Sequence, residues 1–342
     1  MKNIKSNAKG LAIAFIGAIF AYHLKLPLPW LLGPLLAVLI SGTAGYSVSC
    51  DPHWRKCGQV IIGITLGLYF TADLVSAVGA YWVFILIGLV WAIVLNVVLA
   101  FFQVKLNRLD WATAWFSSSI GSASEMVNVA EKYHAQVDKV VAAHSLRIVL
   151  IVVLIPMFMG IFLAVDFSQI QTSENIYFNK SSVILIFFIS LAMGKIFEHY
   201  RVLNAWLLGP LLVIGILSFV GVLSWKLPNW MIYFGQLCIG WSLGTKFPFD
   251  FLKFQKRFIA VTIALNSMAV MMSLGLAWSL TFSSNVELNI MLLGLSPGGI
   301  AEMSLTAKAI GIAVPTVVAF QLTRLIFVIL TTRFFYRYFE KR

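Results

Sequence analysis

Apolar segments of about twenty residues recur along this sequence from Gly10 almost to the C-terminus. About twenty helical residues are needed to cross the roughly 30 Å hydrocarbon core of a bilayer. The alternating ten-residue segments of a membrane β-barrel are absent, and an open sheet could not satisfy its backbone in lipid. Because 60% of the residues are hydrophobic and only 11% are charged, the sequence predicts an all-α integral membrane protein.

The sequence also contains an internal duplication with an offset of 176 to 177 residues. Four landmarks recur in the same order, which indicates two copies of one repeat. They are Trp30–Leu36 and Trp206–Leu212 (both WLLGPLL), Gly58-Gln59 and Gly235-Gln236 with the glycines that follow, Ser119–Met126 (SIGSASEM) and Ser296–Met303 (SPGGIAEM), and Arg147 and Arg324. We therefore predict a first membrane repeat over residues 1–165, an extracytoplasmic linker over 166–183 and a second repeat over 184–342.

The basic residues predict that the two repeats are inverted relative to each other. Each repeat contains six apolar segments. We assume that the fifth segment of each repeat enters and leaves the membrane on the same side. Each repeat then crosses five times, and 19 of the 25 Lys and Arg residues fall on the side of both termini. Cytoplasmic loops carry such an excess. The expected fold is an inverted 5+5 repeat with about ten crossing helices, two re-entrant or broken segments and both termini in the cytoplasm.

The fifth segment of each repeat is predicted to be interrupted. Ser296–Gly299 (SPGG) puts a residue without a backbone N–H and two glycines into apolar sequence, where a continuous helix is improbable. The matching stretch of the first repeat, Ser117–Ser124 (SSSIGSAS), is unusually polar and has no proline. Irregular backbone at membrane depth persists only where protein or a water-filled cavity satisfies it, so such breaks indicate a binding site.

An acidic residue follows each break, Glu125 in the first repeat and Glu302 in the second. A carboxylate within a membrane is costly and often functional. The positions of both glutamates also suit a helix cap, because Ser122 and Gly299 lie three residues before them. A cap alone, and a cap that also binds a proton, a cation or a donor group of the substrate, are both consistent with the sequence.

Several further polar residues lie within apolar segments. Arg147 and Arg324 could clamp a carboxylate or phosphate, or could pair with the nearby glutamates. His144 and Gln321, one turn earlier, read as interhelical hydrogen-bonding groups. The glycines after Gln59 and Gln236 favour close helix packing, whereas the two amides need partners in the broken segments or a substrate.

The sequence lacks the residues that other functional classes require. The five histidines and three cysteines show no metal-ligand spacing, and there is no nucleotide-binding loop or nucleophile elbow. The net charge of +12 is spread over short loops and forms no basic stripe, so nucleic-acid binding is not expected. We predict no catalytic residues, no metal and no cofactor.

The paired WLLGP, Gly-Gln and SPGGIAEM motifs resemble those of the AbrB-type family of duplicated bacterial membrane proteins, over nearly the whole chain. The resemblance implies a distant relationship to inverted-repeat carriers such as bile-acid/sodium symporters and sodium/proton antiporters. It also implies a bacterial inner-membrane location and a core domain with crossed discontinuous helices that moves against a scaffold. Family members carry two labels, regulator of gene expression and ammonia monooxygenase. No metal site here fits the second, and the first would have to act indirectly.

These observations predict a secondary transporter of a small solute or ion, driven by a proton or sodium gradient. A membrane sensor that affects gene expression without transport is the alternative, and a homodimer is left open. The predicted binding residues lie between the repeats. They are Glu125, Glu302, Ser119, Ser122, Ser296, Gly298 and Gly299, with Gln59, Gln236, Arg147 and Arg324 around them.

Overall fold

A computed structural model describes residues 2–46, 48–72, 78–121, 123–163, 180–202, 204–223, 227–246, 256–284 and 286–340. Within these ranges the chain forms fourteen α-helices and no strands. In the first half they are α1 Lys2–His23, α2 Pro29–Thr43, α3 Pro52–Gly67, α4 Trp82–Asn107, α5 Trp111–Ser118, α6 Ala123–Lys132 and α7 Val137–Phe162. In the second half they are α8 Lys180–His199, α9 Ala205–Phe219, α10 Asn229–Gly244, α11 Lys256–Ser284, α12 Leu288–Leu295, α13 Ile300–Ala309 and α14 Val314–Glu340.

The two halves have the same order of helices, and their backbone turns at equivalent places. Residues with positive φ, a conformation that is uncommon outside glycine, recur at the offset of the sequence repeat. The pairs are Lys25 and Arg201, Leu28 and Asn204, Gly45 and Gly221, and His134 and Gly311. The repeat that is visible in the sequence is therefore also a repeat of local conformation.

Four of the described helices, α4, α7, α11 and α14, are long and apolar enough to cross a membrane. They contain 26, 26, 29 and 27 residues, more than the ~20 that a bilayer core requires. Helices α2 and α9 are apolar but shorter. The helical class that we expected is thus present, whereas the number of crossings stays a prediction.

The chain folds into two compact units, and each takes segments from both halves of the sequence. The first unit comprises residues 1–79, 156–249 and 304–315, and the second comprises 80–155, 250–303 and 316–342. The boundaries of the units therefore differ from those of the sequence repeat.

Within the first unit, glycines lie where helices of the two repeats pack closely against each other. A Cβ at Gly63 of α3 would lie 3.0 Å from Pro210 Cβ in the WLLGP motif of α9, and at Gly240 of α10 it would lie 3.2 Å from Pro34 Cβ in the WLLGP motif of α2. The glycine helix of each repeat thus packs against the WLLGP helix of the other. The close packing predicted for these glycines is therefore present. A side chain at either position would force the two backbones apart.

The second unit contains the breaks of both interrupted segments and most of the long helices around them. Trp115 of α5 is fully buried and donates from Nε1 to the carbonyl of Thr332 in α14 at 3.2 Å. An aromatic cluster of Phe116, Tyr133 and Tyr336, with ring centroids 4.7 to 5.5 Å apart, joins the same segments. The first interrupted segment is therefore anchored to the last helix of the chain.

Candidate functional site

Both fifth segments are interrupted in the structure, each by four residues. Helix α5 ends at Ser118 and α6 begins at Ala123, while α12 ends at Leu295 and α13 begins at Ile300. Ser119 and Ser296, which end the first half of each segment, have extended ψ angles of 130° and 140°. The breaks therefore lie where the glycine-containing sequences predict them.

A buried arginine holds the backbone of each break. Arg147 of α7 donates to the carbonyls of Ser118 and Ser119 at 3.1 and 2.8 Å. Arg324 of α14 donates to the carbonyls of Ser296 and Gly298, the latter at 2.6 Å. A helix C-terminus leaves its last carbonyls without partners and carries partial negative charge. Each guanidinium satisfies these carbonyls and places a full positive charge at the break.

His144 and Gln321 complete the arrangement one turn before each arginine. His144 Nε2 lies 2.9 Å from the Phe116 carbonyl, and its Nδ1 lies 2.6 Å from an Arg147 nitrogen. Because a guanidinium can only donate, this Nδ1 accepts, and Nε2 carries the proton that bonds Phe116. Gln321 does the same with different atoms, donating to the Leu293 carbonyl at 2.6 Å and accepting from Arg324.

The two acidic residues lie in the first turn of the helix after each break, Glu125 in α6 and Glu302 in α13. Both side chains are half-buried. The Glu302 carboxylate folds back over Gly299 and occupies the place of a Cβ at that position. Only glycine fits at residue 299 with this carboxylate in place.

The serines at the breaks are mainly engaged with the protein itself. Ser119 is fully buried, and its Oγ lies 3.3 Å from Thr332 Oγ1. Ser296 is fully buried and its hydroxyl donates to the Leu292 carbonyl. Ser122 lies outside the described residues. The second unit contains most of the predicted site residues: Ser119, Ser296, Gly298, Gly299, both glutamates and both arginines.

Gln59 and Gln236 belong to the first unit. Gln59 is half-buried. Gln236 is buried and lines a cavity of about 60 Å³ between α2, α10 and the end of α13, together with Tyr233 and Lys308. This lysine is the charged lining residue, and the sequence analysis did not select it, although its position in an apolar stretch was a usable signal.

Two buried polar atoms at the breaks have no hydrogen-bond partner among the described residues. They are the Ser118 Oγ and the Arg324 Nε. Leaving such groups unpaired in a buried place is costly, which makes them candidates for contact with water or a ligand. No cluster of three His, Cys, Asp or Glu side chains occurs within the described ranges.

These features define an all-helical protein with four candidate membrane spans and two interrupted helical segments. The sequence matches the family described as Transition state regulatory protein AbrB over residues 30–340, and the chain belongs to this family. It is 25% identical to a protein of Escherichia coli (strain K12) named "Putative regulator AbrB", over 97% of this chain and 95% of that protein.

A second relative comes from Bacillus subtilis (strain 168) and is named "Uncharacterized protein YhjN". It is 23% identical, over 98% of this chain and 94% of that protein. No solved structure matches this chain.

Proposed function

We propose that this protein is a secondary transporter of the cytoplasmic membrane, with its binding site at the two interrupted segments. The observation that carries the proposal is the pair of breaks, each held by a buried arginine and followed by a glutamate. In carriers built from repeats, discontinuous helices expose helix ends and backbone groups to the solute. Membrane carboxylates commonly bind protons or cations.

One ion pair supports inverted repeats, on which this proposal depends. Lys56 in the first turns of α3 lies 2.6 Å from Glu198 near the end of α8, within the first unit. Helix α8 is the equivalent of α1, and the end of α1 is separated from the start of α3 by the length of α2. In parallel repeats these two residues would lie on opposite sides of the membrane, so their contact favours the inverted arrangement.

The first test is a thermal-shift screen of the detergent-purified protein with Na⁺, protons, small carboxylates and amines. A ligand that binds the folded state raises the melting temperature by mass action. The screen is run on wild type, Glu302→Gln and Glu125→Gln. An equal shift in wild type and both variants would remove the glutamates from the proposed site.

Reconstitution then tests transport itself. Proteoliposomes are loaded with the ligand that gave the largest shift, and its flux is followed under imposed proton and sodium gradients. Saturable flux that follows one gradient is the expected result. Saturable binding with no flux under either gradient would contradict a transporter.

The second candidate function is a membrane sensor that affects gene expression indirectly. It is favoured by the name of the Escherichia coli relative, "Putative regulator AbrB". In that case the ligand would bind at the same breaks and change the conformation of the protein without crossing the bilayer. Binding without flux, together with altered transcript levels in a Glu302→Gln strain, would support this function over transport.

A further inference from the structure

A basic and aromatic cleft lies at the C-terminal end of α14, within the second unit. Its volume is about 1020 Å³, and it is open to the surroundings. The lining residues are Lys132, Tyr133, Leu330, Arg333, Phe334, Arg337 and Tyr338. Three of the seven are basic, and in the described part of the chain no Asp or Glu side chain lines the cleft.

Among the described residues, no carboxylate forms an ion pair with the basic side chains of the cleft. Lys132, Arg333 and Arg337 are exposed, and none is ion-paired to a described carboxylate. Arg333 and Arg337 are one helical turn apart on the same face of α14, where like charges repel. An anion bound between them would relieve this repulsion, and guanidinium groups bind phosphate oxygens in a bidentate fashion.

The position of the cleft indicates where such an anion would come from. Helix α14 has 27 residues and is a candidate span, so its last turns extend beyond the ~20 residues that a bilayer core covers. Leu330 and Phe334 line the same cleft and are 74% and 68% exposed. An exposed apolar wall next to basic residues matches a phospholipid, whose acyl chains adjoin its phosphate.

We propose that this cleft binds the phosphate headgroup of an anionic phospholipid, with Arg333, Arg337 and Lys132 on the phosphate and Leu330 and Phe334 along the acyl chain. Tyr133 and Tyr338 flank the headgroup at the level where aromatic residues concentrate in membrane proteins. The proposal is independent of transport, because it involves none of the residues at the breaks.

The test measures thermal stability of the full-length protein in detergent with three additives: phosphatidylglycerol, phosphatidylcholine and inorganic phosphate. We expect phosphatidylglycerol to raise the melting temperature by roughly 3 °C or more. Phosphatidylcholine and inorganic phosphate should give less than a third of that shift. Native mass spectrometry of the same samples counts the phosphatidylglycerol molecules that stay bound.

The decisive variant is Arg333→Gln/Arg337→Gln, and Lys105→Gln/Lys195→Gln is its control. The control removes the same charge from two exposed lysines outside the cleft. We expect the cleft variant to lose at least half of the shift and one bound lipid, and the control to keep both. The single variants Arg333→Gln and Lys132→Gln provide the same comparison if the double variant does not fold.

Three results would overturn the proposal. One is a cleft variant that keeps the full shift and all bound lipid, which would mean that the lipid binds elsewhere. Another is a control that loses as much as the cleft variant, which would indicate general surface electrostatics. The third is an equal shift with inorganic phosphate, which would mean that the ligand is a soluble phosphate compound and not a lipid.

Discussion

The two repeats stabilise their broken helices by the same arrangement of hydrogen bonds, but with one different residue. A break in a buried helix leaves carbonyls without partners, and in both copies an arginine satisfies them. The residue that supports this arginine differs, histidine at 144 and glutamine at 321. Each presents one donor to a carbonyl of the preceding half-helix and one acceptor to the guanidinium.

This equivalence predicts that residue 144 tolerates glutamine but not alanine. In His144→Gln the amide can donate to the Phe116 carbonyl and accept from Arg147, as Gln321 does with its own partners, so we expect little change in melting temperature. His144→Ala takes one hydrogen-bond partner from each of two buried groups, the Phe116 carbonyl and the Arg147 guanidinium, and should reduce the free energy of unfolding by about 1–3 kcal/mol. Thermal unfolding of both variants in one detergent checks this, and equal losses would contradict it.

The contact between Glu302 and Gly299 predicts a second effect at residue scale. In Gly299→Ala the new methyl group would occupy the place of the Glu302 carboxylate, which must rotate away. We expect the binding of any cation or proton that requires Glu302 to weaken about tenfold or more, equivalent to about 1.4 kcal/mol.

Gly275→Ala is the matched control for that substitution, because a Cβ at Gly275 of α11 meets nothing within 4 Å. It should leave binding unchanged and stabilise the helix slightly. Titration of ligand-induced thermal shifts in both variants makes the comparison. Unchanged affinity in Gly299→Ala would show that ligand binding does not depend on the position of the Glu302 carboxylate.

At the scale of elements, the sequence predicts the interruptions well and the partners of the arginines poorly. Proline, glycine and serine runs act on their own backbone, so their effect can be read locally. The direction of a buried arginine depends on packing between segments distant in sequence. Sequence reasoning considered a glutamate or a bound anion for Arg147 and Arg324, whereas both guanidiniums contact main-chain carbonyls.

The start of the first interrupted segment gives a prediction at this scale. Asp110 caps α5 by accepting from the Thr113 N–H at 2.8 Å, and it also accepts from the Gln136 side chain at 3.1 Å. Asp110→Ala should lower the free energy of unfolding by about 1 kcal/mol, and Asp110→Asn by less because the amide oxygen still caps. Loss of equal size in both variants would assign the effect to charge and not to capping.

The contribution of Asp110 to the stability of the fold depends on pH. Partial burial alone would raise the pKa of Asp110, but the hydrogen bonds from Thr113 and Gln136 outweigh it, and the pKa lies below its ordinary value of 3.8. The ionised carboxylate therefore stabilises the fold at pH values above this ordinary pKa. The stabilisation is lost as pH falls through the lowered pKa. The difference in melting temperature between wild type and Asp110→Asn should shrink only below about pH 4.

At the scale of the whole molecule, the inverted arrangement makes a prediction about sidedness. Tyr46 and Val222 occupy equivalent places in the two repeats, and both are well exposed at 71% and 64%. In inverted repeats they lie on opposite sides of the membrane, with Tyr46 in the cytoplasm. In parallel repeats they lie on the same side.

Single cysteines at these positions provide the measurement. In a background with Cys50, Cys57 and Cys238 replaced by serine, Tyr46→Cys and Val222→Cys are treated in intact cells with a membrane-impermeant maleimide. We expect labelling of Val222→Cys only, and of both variants after the cells are opened. Labelling of both or of neither in intact cells would contradict inversion.

The reciprocal packing of α3 on α9 and of α10 on α2 has a consequence for the history of this chain. Since the glycine helix of each half packs against the WLLGP helix of the other, we infer that a single ancestral copy would have needed a twin for this packing. Two polypeptides, 1–163 and 180–342, should accordingly accumulate only when produced together. Gene fusion would then have joined two subunits that already depended on each other.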